Sequence, residues 1–166
     1  MKPRHTETKV IHGNPHLREE IHDPYHIRGK HHEPTRCSGC GAVYQKGRWQ
    51  WLAETPEVAR EAHCPACQRI QDKYPAGEII ISGAFATGHA DELMRLIRNT
   101  EEAEKREHPL HRVMGIRHEA DVITVSTTDI HLPRRIGHAL ENAWGGQLTT
   151  HYDEEGWFAR VTWQRE

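Results

Sequence analysis

Two Cys-x-x-Cys pairs, Cys37-Ser38-Gly39-Cys40 and Cys64-Pro65-Ala66-Cys67, stand 23 residues apart and constrain this chain more than any other feature. The two-residue spacing lets both thiolates of a pair reach one ion. Gly41, just after Cys40, can take the tight turn that aims backbone amides at sulfur. Four thiolates make a closed tetrahedral set, suited to structural Zn²⁺, with no position left for water. Cys37, Cys40, Cys64 and Cys67 are therefore the expected metal ligands. An iron–sulfur or iron-only centre uses the same ligand set. A thioredoxin-like site expects one such pair opening a helix after a strand, a setting the sequence does not suggest for either pair. His63, next to Cys64, is read as a solvent-facing or sulfur-bonding neighbour.

The compartment fits this reading. The polar start Met1-Lys2-Pro3-Arg4-His5 lacks the apolar stretch of a secretion signal, so a cytoplasmic location and reduced cysteines are expected. No run of about 18 apolar residues is present, which argues against a membrane-spanning helix. The 166 residues are 36% hydrophobic and 28% charged, so one compact core with a sizeable polar remainder is expected. The net charge of −2 is unevenly spread. Residues 1–36 carry seven Lys/Arg against five Asp/Glu, residues 37–76 five against four, and residues 77–166 ten against fifteen. An anionic partner is thus expected on the N-terminal half.

The chain divides into three parts. Residues 1–36, broken by Pro3, Pro15, Pro24 and Pro34 and holding seven of the fifteen His, read as a basic, flexible tail. Its pair His31-His32 offers only weak metal binding. Residues 37–76 read as a small four-cysteine, zinc-ribbon-like module. Ala42-Val43-Tyr44 and Arg48 to Leu52 form a hairpin about Gln45-Lys46-Gly47. Thr55-Pro56-Glu57 looks like the start of a short helix to Ala62. Residues 77–166 alternate strand and helix signals in the order β-α-β-β-α-β-β. That order predicts an α+β protein whose second domain is a ferredoxin-like sheet with an extra hairpin strand and two helices on one face. The expected helices cover Thr87 to Arg106 and a segment capped by Asp129 that ends at Gly145-Gly146.

Cations and aromatics interleave around the cysteines. Arg36, Lys46, Arg48, Trp49, Arg69 and Lys73 suit phosphates and unpaired bases, and are the candidate RNA contacts. Alternation places Trp49 and Trp51 on one face, read as core-directed. Arg134 and Arg135 open the second helix, where the dipole favours anions, and join the candidate phosphate contacts. Asp129 and His131 lack a partner nucleophile or a phosphate loop, so a catalytic role is not expected of them. The run Glu101 to Glu107 reads as a solvated helix face.

The knuckles, followed by Tyr74-Pro75-Ala76-Gly77-Glu78-Ile79 and the strand–helix block, resemble the amino-terminal part of the 60S-subunit export adaptor family of the nonsense-mediated-decay protein 3 type. The likeness covers roughly residues 37–152. Nearly the whole chain, including Gly47-Arg48-Trp49-Gln50-Trp51 and Thr127 to Gly137, is similar to short bacterial zinc-knuckle proteins of unassigned function. The adaptors carry more Cys pairs and further domains. The resemblance implies zinc at the four cysteines and, as a further expectation, ribosome binding. The sequence therefore predicts a non-enzymatic, zinc-stabilised RNA-binding protein, ribosome-associated and stress-linked, with no small-molecule substrate. The alternative is an adaptor that docks a protein partner on its acidic C-terminal part.

Overall fold

A computed structural model describes Tyr25 and residues 31–166. The remainder of the expected tail lies outside the described residues. Two sheets and four helices make the described chain a mixed α+β protein.

The smaller sheet holds β1 (Thr35–Cys37), β2 (Val43–Gln45), β3 (Arg48–Gln50) and β4 (Arg60–Ala62), in the order β3-β2-β1-β4. The expected hairpin is present. Lys46 and Gly47, both at positive φ (55° and 77°), turn β2 into β3 in the left-handed conformation that a two-residue hairpin loop requires. The Glu33 carboxylate accepts both of their amides at 3.1 and 2.9 Å. Thr35 and Arg36, read as tail, belong to β1.

The helix expected from Thr55 to Ala62 does not form. Residues 60–62 pair in parallel with β1 instead, the Arg60 N–H donating to the Pro34 carbonyl at 3.1 Å. A local capping signal is weak, and the open edge of β1 outbids it. The helix arrives later, as α1 (Pro65–Asp72). There Cys64 occupies the N-cap with extended dihedrals and Pro65 the first turn, the position proline tolerates best.

The larger sheet holds β5 (Gly77–Ser82), β6 (Val113–Glu119), β7 (Val122–Thr127), β8 (Gln147–Tyr152) and β9 (Ala159–Gln164), in the order β6-β7-β5-β9-β8. The first expected helix is split into α2 (Ala84–Gly88) and α3 (Ala90–Glu107); the second is α4 (Leu132–Trp144). The first crossover is of the split kind: β6 follows β5 with β7 between them, antiparallel to both. The second, from β7 through α4 to β8, passes two strands, β5 and β9. A four-stranded ferredoxin-like sheet would place β8 directly beside β5. Here β9 takes that place, parallel to β5, and β8 lies outside it at the edge. Ile79, Ile81, Val125, Val161 and Trp163 bury one sheet face against Leu93, Ile97, Leu132, Ile136 and Leu140 of α3 and α4. Period-two alternation on the strands and 3–4 spacing on the helices produce this core.

Candidate metal centre and adjoining cleft

Cys37 ends β1 and Cys40 closes the turn after it. Gly41 sits at φ 82°, as its place after the knuckle demands, and its N–H donates to the Cys37 carbonyl at 2.9 Å. Gly39 has a separate reason to be glycine: a Cβ there would stand 2.8 Å from the Cys67 sulfur. The second knuckle is carried by α1, with Cys64 at its cap and Cys67 in its first turn. This pair does open a helix after a strand, contrary to the sequence reading. Its sulfurs, however, face Cys37 and Cys40 across the turn.

The four sulfurs converge within 4.8 Å of one another. None is in a disulfide. Cys40 Sγ and Cys64 Sγ are 3.8 Å apart. Tetrahedral zinc with Zn–S bonds of about 2.3 Å sets its sulfurs about 3.8 Å apart, so the spacing suits a metal ion. Backbone amides support the thiolates: Cys64 N–H donates to Cys37 Sγ at 3.2 Å and Cys67 N–H to Cys64 Sγ at 3.4 Å. Ala42, Trp49 and Ala66 pack round the cluster, with Leu110, beyond the end of α3, against it.

One cation enters this apolar shell. Arg112, immediately before β6 and only 8% exposed, donates through Nη2 to Cys67 Sγ at 3.1 Å and to Cys64 Sγ at 3.4 Å. Its position is fixed by backbone and Thr128 bonds around the start of β6. Burial opposes its charge, but the sulfurs raise its pKa on balance. Sequence reasoning missed Arg112, because nothing local to residue 112 signals a partner 45 residues away. Without an ion the sulfurs share protons. A hydrogen bond from Cys64 lowers Cys40 to about 5, while the same bond and burial push the Cys64 thiol up. Burial also raises Cys67, against the opposing pull of Arg112. Four crowded sulfurs, two of them fully buried, become thiolates together only with a cation among them, which is what a divalent metal supplies.

Beside the centre lies a cleft of about 720 Å³ between the β2–β3 hairpin and the end of α3. Tyr44, Trp49 and Trp51 line one wall with Arg48, and Arg106, His108 and His111 line the other. Trp49 and Trp51 do not share a face as expected. Trp49 is 9% exposed and packed on the cysteines, whereas Trp51, beyond the end of β3, is 37% exposed. Strand alternation ends with the strand, and the Trp51 indole N–H turns instead to the Lys105 carbonyl at 2.7 Å.

The other candidate RNA contacts are scattered. Arg36 pairs with Glu61 at 3.7 Å, Lys46 tips the exposed hairpin, and Lys73 caps α1 in the left-handed region. Arg69 is 5% exposed, its guanidinium 4.3 Å from the Tyr25 ring centre and donating to the Tyr74 carbonyl. Arg134 and Arg135 lie on α4, where Arg135 approaches Glu104 at 3.6 Å. Only Arg48 and Trp49 of the set reach the cleft; Arg106, Trp51 and His31, which share it, were not among them.

No helix among the described residues is long and apolar enough to cross a membrane. Comparison with protein-family models, with curated proteins and with solved structures returns no match for this chain, so its function is read from the site alone.

Proposed function

We propose that this is a non-enzymatic, zinc-stabilised protein that binds RNA through the cleft beside its four-cysteine centre. The observation that carries the reading is the cleft's lining: the aromatic rings of Tyr44 and Trp51 stand with Arg48 and Arg106 around a space large enough for a nucleobase. Rings give unpaired bases a stacking surface, and guanidinium groups meet the phosphates on either side. Zinc then serves the cleft by holding β1 and α1 together beneath Trp49. Ribosome association, and the kinship with the bacterial zinc-knuckle proteins, belong to the same reading.

Trp51 makes the reading testable. Titration of the zinc-loaded full chain with single-stranded oligouridine at low salt should quench its tryptophan fluorescence saturably. Trp51→Ala should weaken binding by roughly 5- to 150-fold, the range of one lost base stack at about 1–3 kcal/mol. Binding that is unchanged in that variant, or absent in the wild type, rejects the cleft as an RNA site. Migration of the protein with ribosomal particles in a sucrose gradient tests the narrower ribosomal form.

A further inference from the structure

Among the described residues, a second cluster of metal-ligating side chains lies at the C-terminal end of α3. Glu104 and His108 are four residues apart, so they stand on one face of the last helical turn, which the His108 N–H closes by donating to the Glu104 carbonyl at 2.9 Å. Pro109 ends the helix, and a further turn, with His111 N–H on the His108 carbonyl at 2.9 Å, brings His111 back over the same spot. His111 Nδ1 lies 3.1 Å and His108 Nε2 4.0 Å from the same oxygen, Glu104 Oε1. The three ligand atoms fall within 4.8 Å of one another. Bonds of about 2.0 Å to zinc at tetrahedral angles require separations of about 3.3 Å, which small side-chain movements reach from here.

What surrounds the three residues is as informative as the residues. The other nitrogen of His111, Nε2, faces Asp129 Oδ2 at 3.5 Å. Asp129 is itself fixed by the amides of His131 and Leu132, at 2.7 and 3.2 Å from the same oxygen. A metal-bound imidazole commonly gives its second N–H to a carboxylate in this way, which sets its tautomer and orientation. The other oxygen of Glu104, Oε2, is approached by Arg135 Nε at 3.6 Å, leaving Oε1 for an ion. A protonated His111 bridging the two carboxylates would explain that ring alone. It would not explain why the His108 ring stacks on it, centres 4.7 Å apart, with its Nε2 turned to the same oxygen. Two neutral imidazoles and a carboxylate around one cation account for all three.

We infer that Glu104, His108 and His111 form a second metal site, for a borderline divalent ion such as Zn²⁺, with Asp129 orienting His111. Two His and one carboxylate leave a coordination position to water, unlike the closed four-cysteine centre. The inference does not depend on whether the cleft takes RNA.

Cobalt(II) separates the two sites in the full chain. Ions at the cysteines give intense thiolate-to-cobalt charge-transfer absorption, whereas ions at nitrogen and oxygen give none. The wild type should take up two equivalents, the second without added charge-transfer intensity. His108→Gln/His111→Gln should bind one, with its thiolate band intact. His108→Gln alone changes a half-exposed side chain, and it keeps the test valid if the double variant does not fold. Asp129→Asn preserves a good capping side chain and should weaken only the second equivalent, by roughly 10- to 100-fold. Saturation of the wild type at one equivalent overturns the site. So does a second equivalent that persists at full affinity in the His108 variants, since it would then belong to other histidines.

Discussion

Around a divalent ion, four thiolates carry two net negative charges in a shell from which water is largely excluded. Arg112 offsets one of them with two N–H···S contacts made from outside the small sheet. Arg112→Met should therefore lower zinc affinity by roughly 10- to 100-fold, read by competition with a chromophoric chelator. Arg112→Lys should recover only part of this, because the shorter side chain and more strongly hydrated ammonium suit the buried position less well. Unchanged affinity in Arg112→Met would remove the residue from the centre's energetics. Protons compete at the same atoms. Ordinary thiols are already protonated at about pH 7, and burial carries Cys64 and Cys67 further up, so an ion must displace at least these two protons and must still do so above the usual cysteine range. Apparent zinc affinity should then rise by about 100-fold or more per pH unit near pH 7, and fall equally with acid. The rise should continue above about pH 9, and a dependence that levels off there, where ordinary thiols are already ionised, would show that the thiols are not raised as described.

Among the elements, α4 lies tight against the sheet at Gly137. A Cβ at Gly137 would meet Leu148 Cδ1 at 2.6 Å, on a partly buried side chain, and Val161 Cγ1 at 3.0 Å, in the packed core. Gly137→Ala normally favours a helix by about 1 kcal/mol, but here the clash should dominate and cost about 1–3 kcal/mol net, seen as a lower urea midpoint with unchanged slope. A midpoint at or above wild type would mean that α4 can lift off the sheet freely. How far such elements were legible depended on where their information resides. Hairpin β2–β3, strand β7 and helix α4 are specified locally, by turn chemistry and periodicity, and could be read from sequence. The four cysteines could be read too, because two-residue spacing is itself geometry. β4 and α1 could not: Thr55-Pro56-Glu57 promised a helix, and only the edge of β1 shows why residues 60–62 extend instead. The insertion of β9 between β5 and β8 is a choice of partner that no local pattern encodes. The same holds for the site at the end of α3. Glu104 was read within a solvated run, yet its side chain is 13% exposed and meets His111, while Asp129 comes from beyond β7. The Glu104–His108 spacing was the only local signal of that cluster.

At the scale of the whole molecule, the two sheets differ in what holds them. The larger has its own apolar core, whereas the smaller has little beyond the cysteines, Ala42, Trp49 and Ala66. Metal binding to so small a unit is folding energy, on the order of 10 kcal/mol. Cys40→Ser should therefore lose the fold of residues 37–76 while the buried environment of Trp163 persists, a loss visible as amide resonances of β1–β4 collapsing alone. Joint collapse of both sheets would mean that the Arg112 and Trp51 links make them one cooperative unit. The same division bears on how an anionic partner would bind. Total charge is slightly negative, so attraction of RNA must come from where cations lie rather than from how many there are. Arg48 and Arg106 both line the cleft, whereas Arg95 and Arg117 are exposed on the larger unit and do not line it. Reversing either pair to Glu changes net charge equally. If the cleft is the site, Arg48→Glu/Arg106→Glu should weaken oligouridine binding and flatten the plot of log affinity against log salt by roughly 0.7 per lost phosphate contact. Arg95→Glu/Arg117→Glu should leave that slope in place. Equal flattening by both pairs would reduce the attraction to a diffuse field, and loss through the second pair alone would move the binding surface to the larger sheet.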